Sequence, residues 1–299
     1  MRLFIAGASG QVAQALLERA DALNIEARAY GRPDLDLTDA ASVESITSTV
    51  KESDVVINAA AYTAVDAAED EEAAAFKVNA EGAGRLAALA KRLDRPFIHL
   101  STDYVYEGSK QTPYVESDAA APLSAYGRSK LEGERRVQEA HDGAVILRTA
   151  WVYSPFGKNF LKTMLRLAAT HDVVNIVADQ WGAPTNAFDI ADGVIAISER
   201  LLKDVKAEQT APRGVFHMTS EGEAVWADFA EAIFAASSAS GGPSADVKRI
   251  GTKDYPTPAQ RPQNARLNCD RLETAFQVRL PTWRDSVEPV VKRVLADER

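Results

Sequence analysis

Arg2-Leu3-Phe4-Ile5-Ala6-Gly7-Ala8-Ser9-Gly10-Gln11-Val12-Ala13 is the stretch that decides the fold. A short apolar run suited to one buried strand gives way to a glycine-containing turn, and the following residues, rich in Ala, Leu and Glu, suit a helix. Strand, glycine turn and helix open a dinucleotide-binding βαβ unit. Gly7 permits the tight turn, and Gly10 lets backbone N–H groups approach a pyrophosphate at the positive end of the helix. Gln11 and Val12, which start that helix, join them as candidate cofactor contacts. Ala13 stands where a third glycine often lies, and a methyl group there is compatible with helix-on-strand packing.

Outward from this unit the βα rhythm continues. Ile25 to Tyr30 reads as the second strand, ending in Tyr30-Gly31-Arg32 without an acid to grip a ribose 2′-hydroxyl. Arg32 either pairs with a 2′-phosphate or is a loop arginine facing water. Thr38 or Asp39 caps a helix expected to run through Val50, and Asp36 and Leu37 are placed to flank an adenine ring. Asp54 to Ala61 has the continuous apolar run of a strand buried on both faces, and the small Ala60 and Ala61 at its end leave room for a flat cofactor. Tyr62 to Asp66, with Thr63 and Val65, forms a loop at the carboxyl edge, where ligands of open α/β sheets bind. Asn79 sits inside an expected helix from Phe76 to Leu93, either holding neighbouring backbone or facing solvent.

Pro96 to Leu100 is the next strand and delivers Ser101-Thr102-Asp103-Tyr104 at its tip. Tyr126-Gly127-Arg128-Ser129-Lys130 then opens a helix on which residues four apart share a face, so Tyr126 and Lys130 point the same way. A phenol has a pKa of about 10, and a neighbouring ammonium favours its ionised form. The pair therefore suits proton donation to a carbonyl, with the Thr102 hydroxyl bonding the same oxygen. Ala144 to Thr149 is a further strand, leading to Trp151 as either core or stacking wall.

Later in the chain, a helix from Asn159 to Ala169, a strand from Val173 to Val177 and a helix from Asp189 to Leu202 are expected to finish the alternation. Ala235 to Ala245 reads as a flexible surface loop, Tyr255 to Asn268 as a proline-punctuated loop able to wall a pocket, and Trp283 to Leu295 as a closing helix. The expected fold is α/β: a Rossmann-type doubly wound parallel sheet with a smaller C-terminal α/β lobe. Residues 1–150, with parts of 170–205, would bind the cofactor, and 151–299 would mainly bind substrate.

Composition narrows the function. The 299 residues are 46% hydrophobic and 26% charged with a net charge of −9, and no basic cluster is dense enough to track a phosphate backbone, so nucleic acid is not an expected partner. No run of about 18 apolar residues exists to span a membrane. Cys269 is the single cysteine, which excludes an internal disulfide and fits a reducing, cytoplasmic setting. His99, His141, His171 and His217 lack ligand-like spacing, so no metal site is expected.

The glycine loop, NAAAYTAVDAAE, STDYVYEG, YGRSKLEGE and RTAWVY, in this order, resemble the extended short-chain dehydrogenase/reductase family. NFLKTMLRLA, DQWGAPT and YPTPAQRPQNARLN are similar, more narrowly, to the dTDP-4-dehydrorhamnose reductase family. That resemblance covers nearly the whole chain. It implies reduction by NADPH, with NADH possible, of the C4 ketone of a dTDP-keto-sugar, dTDP-4-dehydro-β-L-rhamnose, to dTDP-L-rhamnose. Tyr126 would be the proton donor, Lys130 would lower its pKa and hold the nicotinamide ribose, and Thr63, Val65, Thr102, Asp103, Tyr104 and Trp151 would surround the sugar. Some members are dimers sharing a magnesium ion held by glutamates, but the corresponding places here hold Ala15 and Phe188, with Glu18 one helical turn from Ala15. A monomer is therefore expected rather than a magnesium-bridged dimer. Two other readings stand beside this one: a nucleotide-sugar epimerase or dehydratase, and a non-catalytic NADP-binding regulatory subunit like that of methionine adenosyltransferase.

Overall fold

The structure is a computed structural model describing residues 1–206 and 211–297. In chain order its regular elements begin with β1 (Arg2–Ala6), α1 (Gln11–Ala22), β2 (Glu26–Tyr30), α2 (Ala40–Ser45), β3 (Asp54–Asn58), α3 (Ala67–Asp70), α4 (Glu72–Phe76) and α5 (Ala83–Arg92). Next come β4 (Phe97–Thr102), α6 (Ala125–Ala140), β5 (Val145–Thr149), β6 (Val152–Tyr153), α7 (Phe160–Ala168), β7 (Val173–Val177), β8 (Trp181–Gly182) and β9 (Thr185–Asn186). The chain closes through α8 (Ala187–Lys206), β10 (Gly214–His217), β11 (Ala224–Val225), α9 (Trp226–Ala239), β12 (Asp246–Ile250), α10 (Asp270–Phe276) and α11 (Trp283–Asp297).

Six parallel strands form the main sheet in the order β10-β5-β4-β3-β1-β2. Because side chains alternate across a strand, β1 sends Leu3 and Ile5 to one face and Phe4 and Ala6 to the other. The first face packs on α1, α8 and α10 through residues such as Leu16, Ile190, Ile197 and Leu272, and the second on α2, α5 and α6 through Val43, Leu86, Leu89 and Val137. This is the doubly wound arrangement. Strand order reverses between β1 and β3, and the crevice outside their carboxyl ends is where such sheets bind ligands. At the opposite end Arg2 pairs with the buried Asp54, tying β1 to β3. A second core, including Leu161, Phe229, Ile233, Trp283 and Val291, joins α7, α9 and α11 into the smaller lobe.

Several expected elements sit elsewhere. Val173–Val177 does not extend the main sheet: it pairs with Asp246–Ile250 in a two-stranded sheet of the lobe. Its Val173 and Asn175 are exposed, an alternation that suits a half-covered sheet. The sixth main strand is Gly214–His217, paired with β5. Ala235 to Ala239 complete α9 instead of forming a loop, and Ser237 Oγ donates to the Pro243 carbonyl at 2.6 Å, folding the turn back on the helix. Asp39 caps α2 through Ala41 N–H, but the α-helix ends at Ser45 and a 3-10 turn follows. The helical run expected from Phe76 starts at Glu72 and passes through a π-helical turn, Lys77–Gly82.

Candidate active site

The residues singled out as cofactor, substrate and catalytic candidates, from Gly7 to Trp151, lie around one cavity of about 990 Å³ at the carboxyl edge of the sheet. Its floor starts at Gly7, whose φ of +107° is open to glycine alone, and a Cβ there would lie 2.7 Å from the Ala60 nitrogen. The close approach of these two loops makes the crevice. The first turn of α1 has no side-chain cap and no acid, so its N–H groups remain available to an anion. Val12 and Gln11 both line the same wall, and the Gln11 side chain is engaged within the protein. Its Oε1 accepts from Ser154 Oγ at 2.7 Å and from Asn159 Nδ2 at 2.9 Å, so it ties α1 to the loop before α7.

On the β2 side, Tyr30 stacks on Phe4 at 4.5 Å, and Arg32 is exposed on the cavity edge. Asp36 accepts from the Thr38 backbone and hydroxyl at 2.9 and 2.8 Å, and these bonds hold its pKa below the usual range. Leu37 is buried beside it, while Ala60, Ala61, Thr63 and Val65 line the facing wall. Asn79 is buried, which settles its two readings. Its Oδ1 accepts from Tyr62 N at 2.8 Å and its Nδ2 donates to Tyr62 O and Ser129 Oγ at 3.1 and 2.9 Å. Ser129 in turn donates to the Tyr126 carbonyl, so one amide holds both the Tyr62 loop and the helix carrying the phenol.

Tyr126 and Lys130 share one buried face of α6, which Ser124 caps at Gly127 N–H. The expected effect of Lys130 on Tyr126 does not dominate in this geometry. Burial pushes the phenol pKa up, opposed by the Thr102 hydroxyl, whereas Lys130 Nζ donates to the Leu100 carbonyl at 2.7 Å and lies 3.5 Å from His99 Nε2. Burial also brings Lys130 down to about 8, against the pull of Glu134. Thr102 Oγ1 donates to Asp103 Oδ1 at 2.9 Å and accepts from Tyr104 N at 3.2 Å. Asp103 is itself pushed up to about 7 by burial, and its Oδ2 and the Thr149 Oγ1 are buried without a partner among the described residues. Such orphaned atoms on a cavity wall suit a polyhydroxylated ligand. Beneath them Glu134 accepts from Ser101 Oγ and Arg148, a buried ion pair that braces β4, β5 and α6 together.

Trp151 lines the cavity at the lobe side with its ring stacked on Trp226, which favours the wall reading over the core one. Tyr255 to Asn268 does not line the cavity. It packs behind the Tyr62 loop through the Arg261–Asp66 ion pair at 2.8 Å. Sequence reasoning missed Lys77, Lys158 and Asn159, all of which border the cavity. The Gly157-Lys158-Asn159 run, coming directly after a sheet edge, was the signal for the last two. Trp226 gave no local signal at all.

A family model described as the RmlD substrate binding domain matches residues 1–296. A dTDP-4-dehydrorhamnose reductase from Sinorhizobium fredii is 46% identical over 299 residues, covering 99% of each chain. The chain belongs to the dTDP-4-dehydrorhamnose reductase family. A Burkholderia thailandensis reductase of the same name is 43% identical over 99% of this chain and 100% of its own. The crystal structure of the Bacillus anthracis reductase in complex with NADP superimposes with a TM-score of 0.88 at 30% identity, over 97% of this chain and 98% of that one. For the family, the geometry above has a specific meaning. DQWGAPT, the narrower marker, holds Trp151: Thr185 N donates to the Trp151 carbonyl at 3.2 Å, and β9 pairs with β6.

Proposed function

We propose that this enzyme reduces the C4 ketone of dTDP-4-dehydro-β-L-rhamnose with NADPH to give dTDP-L-rhamnose. The observation that carries the reading is the convergence of Tyr126, Thr102 and Lys130 at the sheet edge of a chain with reductase relatives along its whole length. The cavity fits a dinucleotide: Gly7, Gly10 and the start of α1, with Val12, accept its pyrophosphate, Asp36 and Leu37 flank the adenine, and Arg32 takes the 2′-phosphate. Ala60, Ala61 and Thr63 give its nicotinamide half a flat wall. When bound, the reduced dinucleotide supplies the hydride.

The protein's own residues complete the reaction. Tyr126, kept protonated by its burial, gives its proton to the C4 oxygen as the hydride arrives, so the ketone becomes a secondary alcohol. Thr102 bonds the same oxygen as charge develops, and Lys130, cationic below about 8, stabilises the phenolate left behind and holds the ribose. Thr63, Val65, Asp103, Tyr104 and Trp151 enclose the sugar. Neither the epimerase or dehydratase reading nor the regulatory one gains support from the relatives.

The proposed form is a cytoplasmic monomer without a shared metal. Ala15 and Phe188 are buried and offer no oxygen, Glu18 is held by Arg293 at 2.6 and 2.9 Å, and Arg19 and Arg293 lie over the Phe188 ring. Glu18 and Asp192 there are already engaged by Arg293 and Arg19, so neither is a free oxygen ligand for a divalent ion.

Turnover of the keto-sugar with NADPH tests the function. The wild type should consume NADPH saturably and yield the alcohol, and Arg32→Ala should weaken NADPH while sparing NADH. Tyr126→Phe should still bind NADPH but lose about 10²-fold or more in kcat. Cofactor binding without turnover in the wild type would instead mark a regulatory module.

A further inference from the structure

Trp151 has a backbone φ of +48°, which is uncommon for a bulky residue and persists only where the surroundings impose it. Two of those surroundings touch the indole. The Trp226 ring stacks on it with centroids 3.6 Å apart and planes 11° from parallel. The Gly182 backbone abuts it so closely that a Cβ there would lie 2.5 Å from Cε2, 2.8 Å from Cζ2 and 2.9 Å from Nε1. Trp226 is itself fixed: its Nε1 donates to Gln180 Oε1 at 3.2 Å, Gln180 Nε2 donates to Thr252 Oγ1 at 3.1 Å, and Phe160 packs on the ring at 4.7 Å.

We propose that Trp226 and Gly182 are positioning residues for the sugar, fixing the plane of the Trp151 indole and through it the shape of the pocket wall that selects the sugar ring. The proposal rests on the reading that Trp151 contacts the sugar. A free indole could swing about two torsions and leave the wall undefined. Stacking removes that freedom from one side, and the absence of a side chain at Gly182 lets the backbone remove it from another. Trp226 sits at the start of α9, so the lobe's helix reaches the substrate without contacting it.

Steady-state kinetics on four variants, with circular dichroism, test this. Trp226→Leu and Gly182→Ala should raise KM for the sugar nucleotide about tenfold, in line with losing roughly 1.4 kcal/mol of aromatic packing, while KM for NADPH stays unchanged. Trp226→Phe, which keeps a flat ring, should recover most of the loss. The stacked indoles should give an exciton couplet in the wild type that disappears in Trp226→Leu. Trp151→Leu separates the two ideas: an unchanged sugar KM would sink the contact on which the proposal rests. A raised KM in Trp151→Leu with a normal one in Trp226→Leu would overturn the positioning role alone. If Gly182→Ala does not fold, Trp226→Leu decides the outcome.

Discussion

Asp103 and Tyr126 hold their protons for the same reason: each is buried where its ion would be poorly solvated. For Asp103 this has a consequence for stability. Its folded pKa of about 7 lies above the ordinary 3.8, so the folded chain keeps a proton that the unfolded chain has released over that interval. The stabilisation is complete below pH 4 and is lost as pH rises through 7, amounting to up to about 4 kcal/mol. Asp103→Asn keeps an oxygen for Thr102 but cannot titrate, so its Tm should fall less between pH 4.5 and 7.5 than that of the wild type. Parallel Tm profiles would show that Asp103 ionises normally. The sequence pointed to Tyr126 and Lys130 because four-residue spacing is local. It could not show that burial outweighs the ammonium's pull on the phenol, since desolvation depends on residues brought in from β4 and the Tyr62 loop.

Among the elements, the strands buried on both faces were legible as unbroken apolar runs, and Asp54–Asn58 is the clearest case. β10 was not, because it is four residues long, begins at a glycine, and pairs with a strand more than sixty residues earlier. Nor was the π-helical turn at Lys77–Gly82, whose register serves the distant Tyr62 backbone. That turn makes a prediction. Asn79→Ala leaves the Tyr62 N–H and carbonyl without their side-chain partner, and one unsatisfied buried group costs about 1–3 kcal/mol. Denaturant unfolding should show a loss of that size, together with a raised KM for NADPH as the Tyr62 loop slackens. A variant with native stability would mean that water replaces the amide.

Across the whole molecule, the proposed monomeric state rests on the charged surface around α1 and α8. Glu18–Arg293 and Arg19–Asp192 are internal pairs on the face that carries Ala15 and Phe188. Sedimentation should therefore give a mass near 32.3 kDa with or without magnesium, and activity should survive chelation and buffer exchange. A dimer that forms only with magnesium would sink this. The two-lobed plan itself was legible from the βα rhythm, whereas the lobe's hold on the site was not: Trp226 reaches Trp151 across 75 residues of chain, which no pattern along the sequence announces.

The late arrival of β10 also sets a timetable for synthesis. While the chain emerges from the ribosome, β5 presents an open hydrogen-bonding edge until residue 217 is out, and Leu272 and Phe276 reach the same core later still. The nascent main sheet is thus committed to wait for the last quarter of the polypeptide, exposing a strand edge prone to pairing with other chains. A fragment ending at residue 150 should aggregate instead of folding, while the full chain, once released from the ribosome, should become protease-resistant. A soluble, NADPH-binding fragment 1–150 would show that the edge needs no such guard.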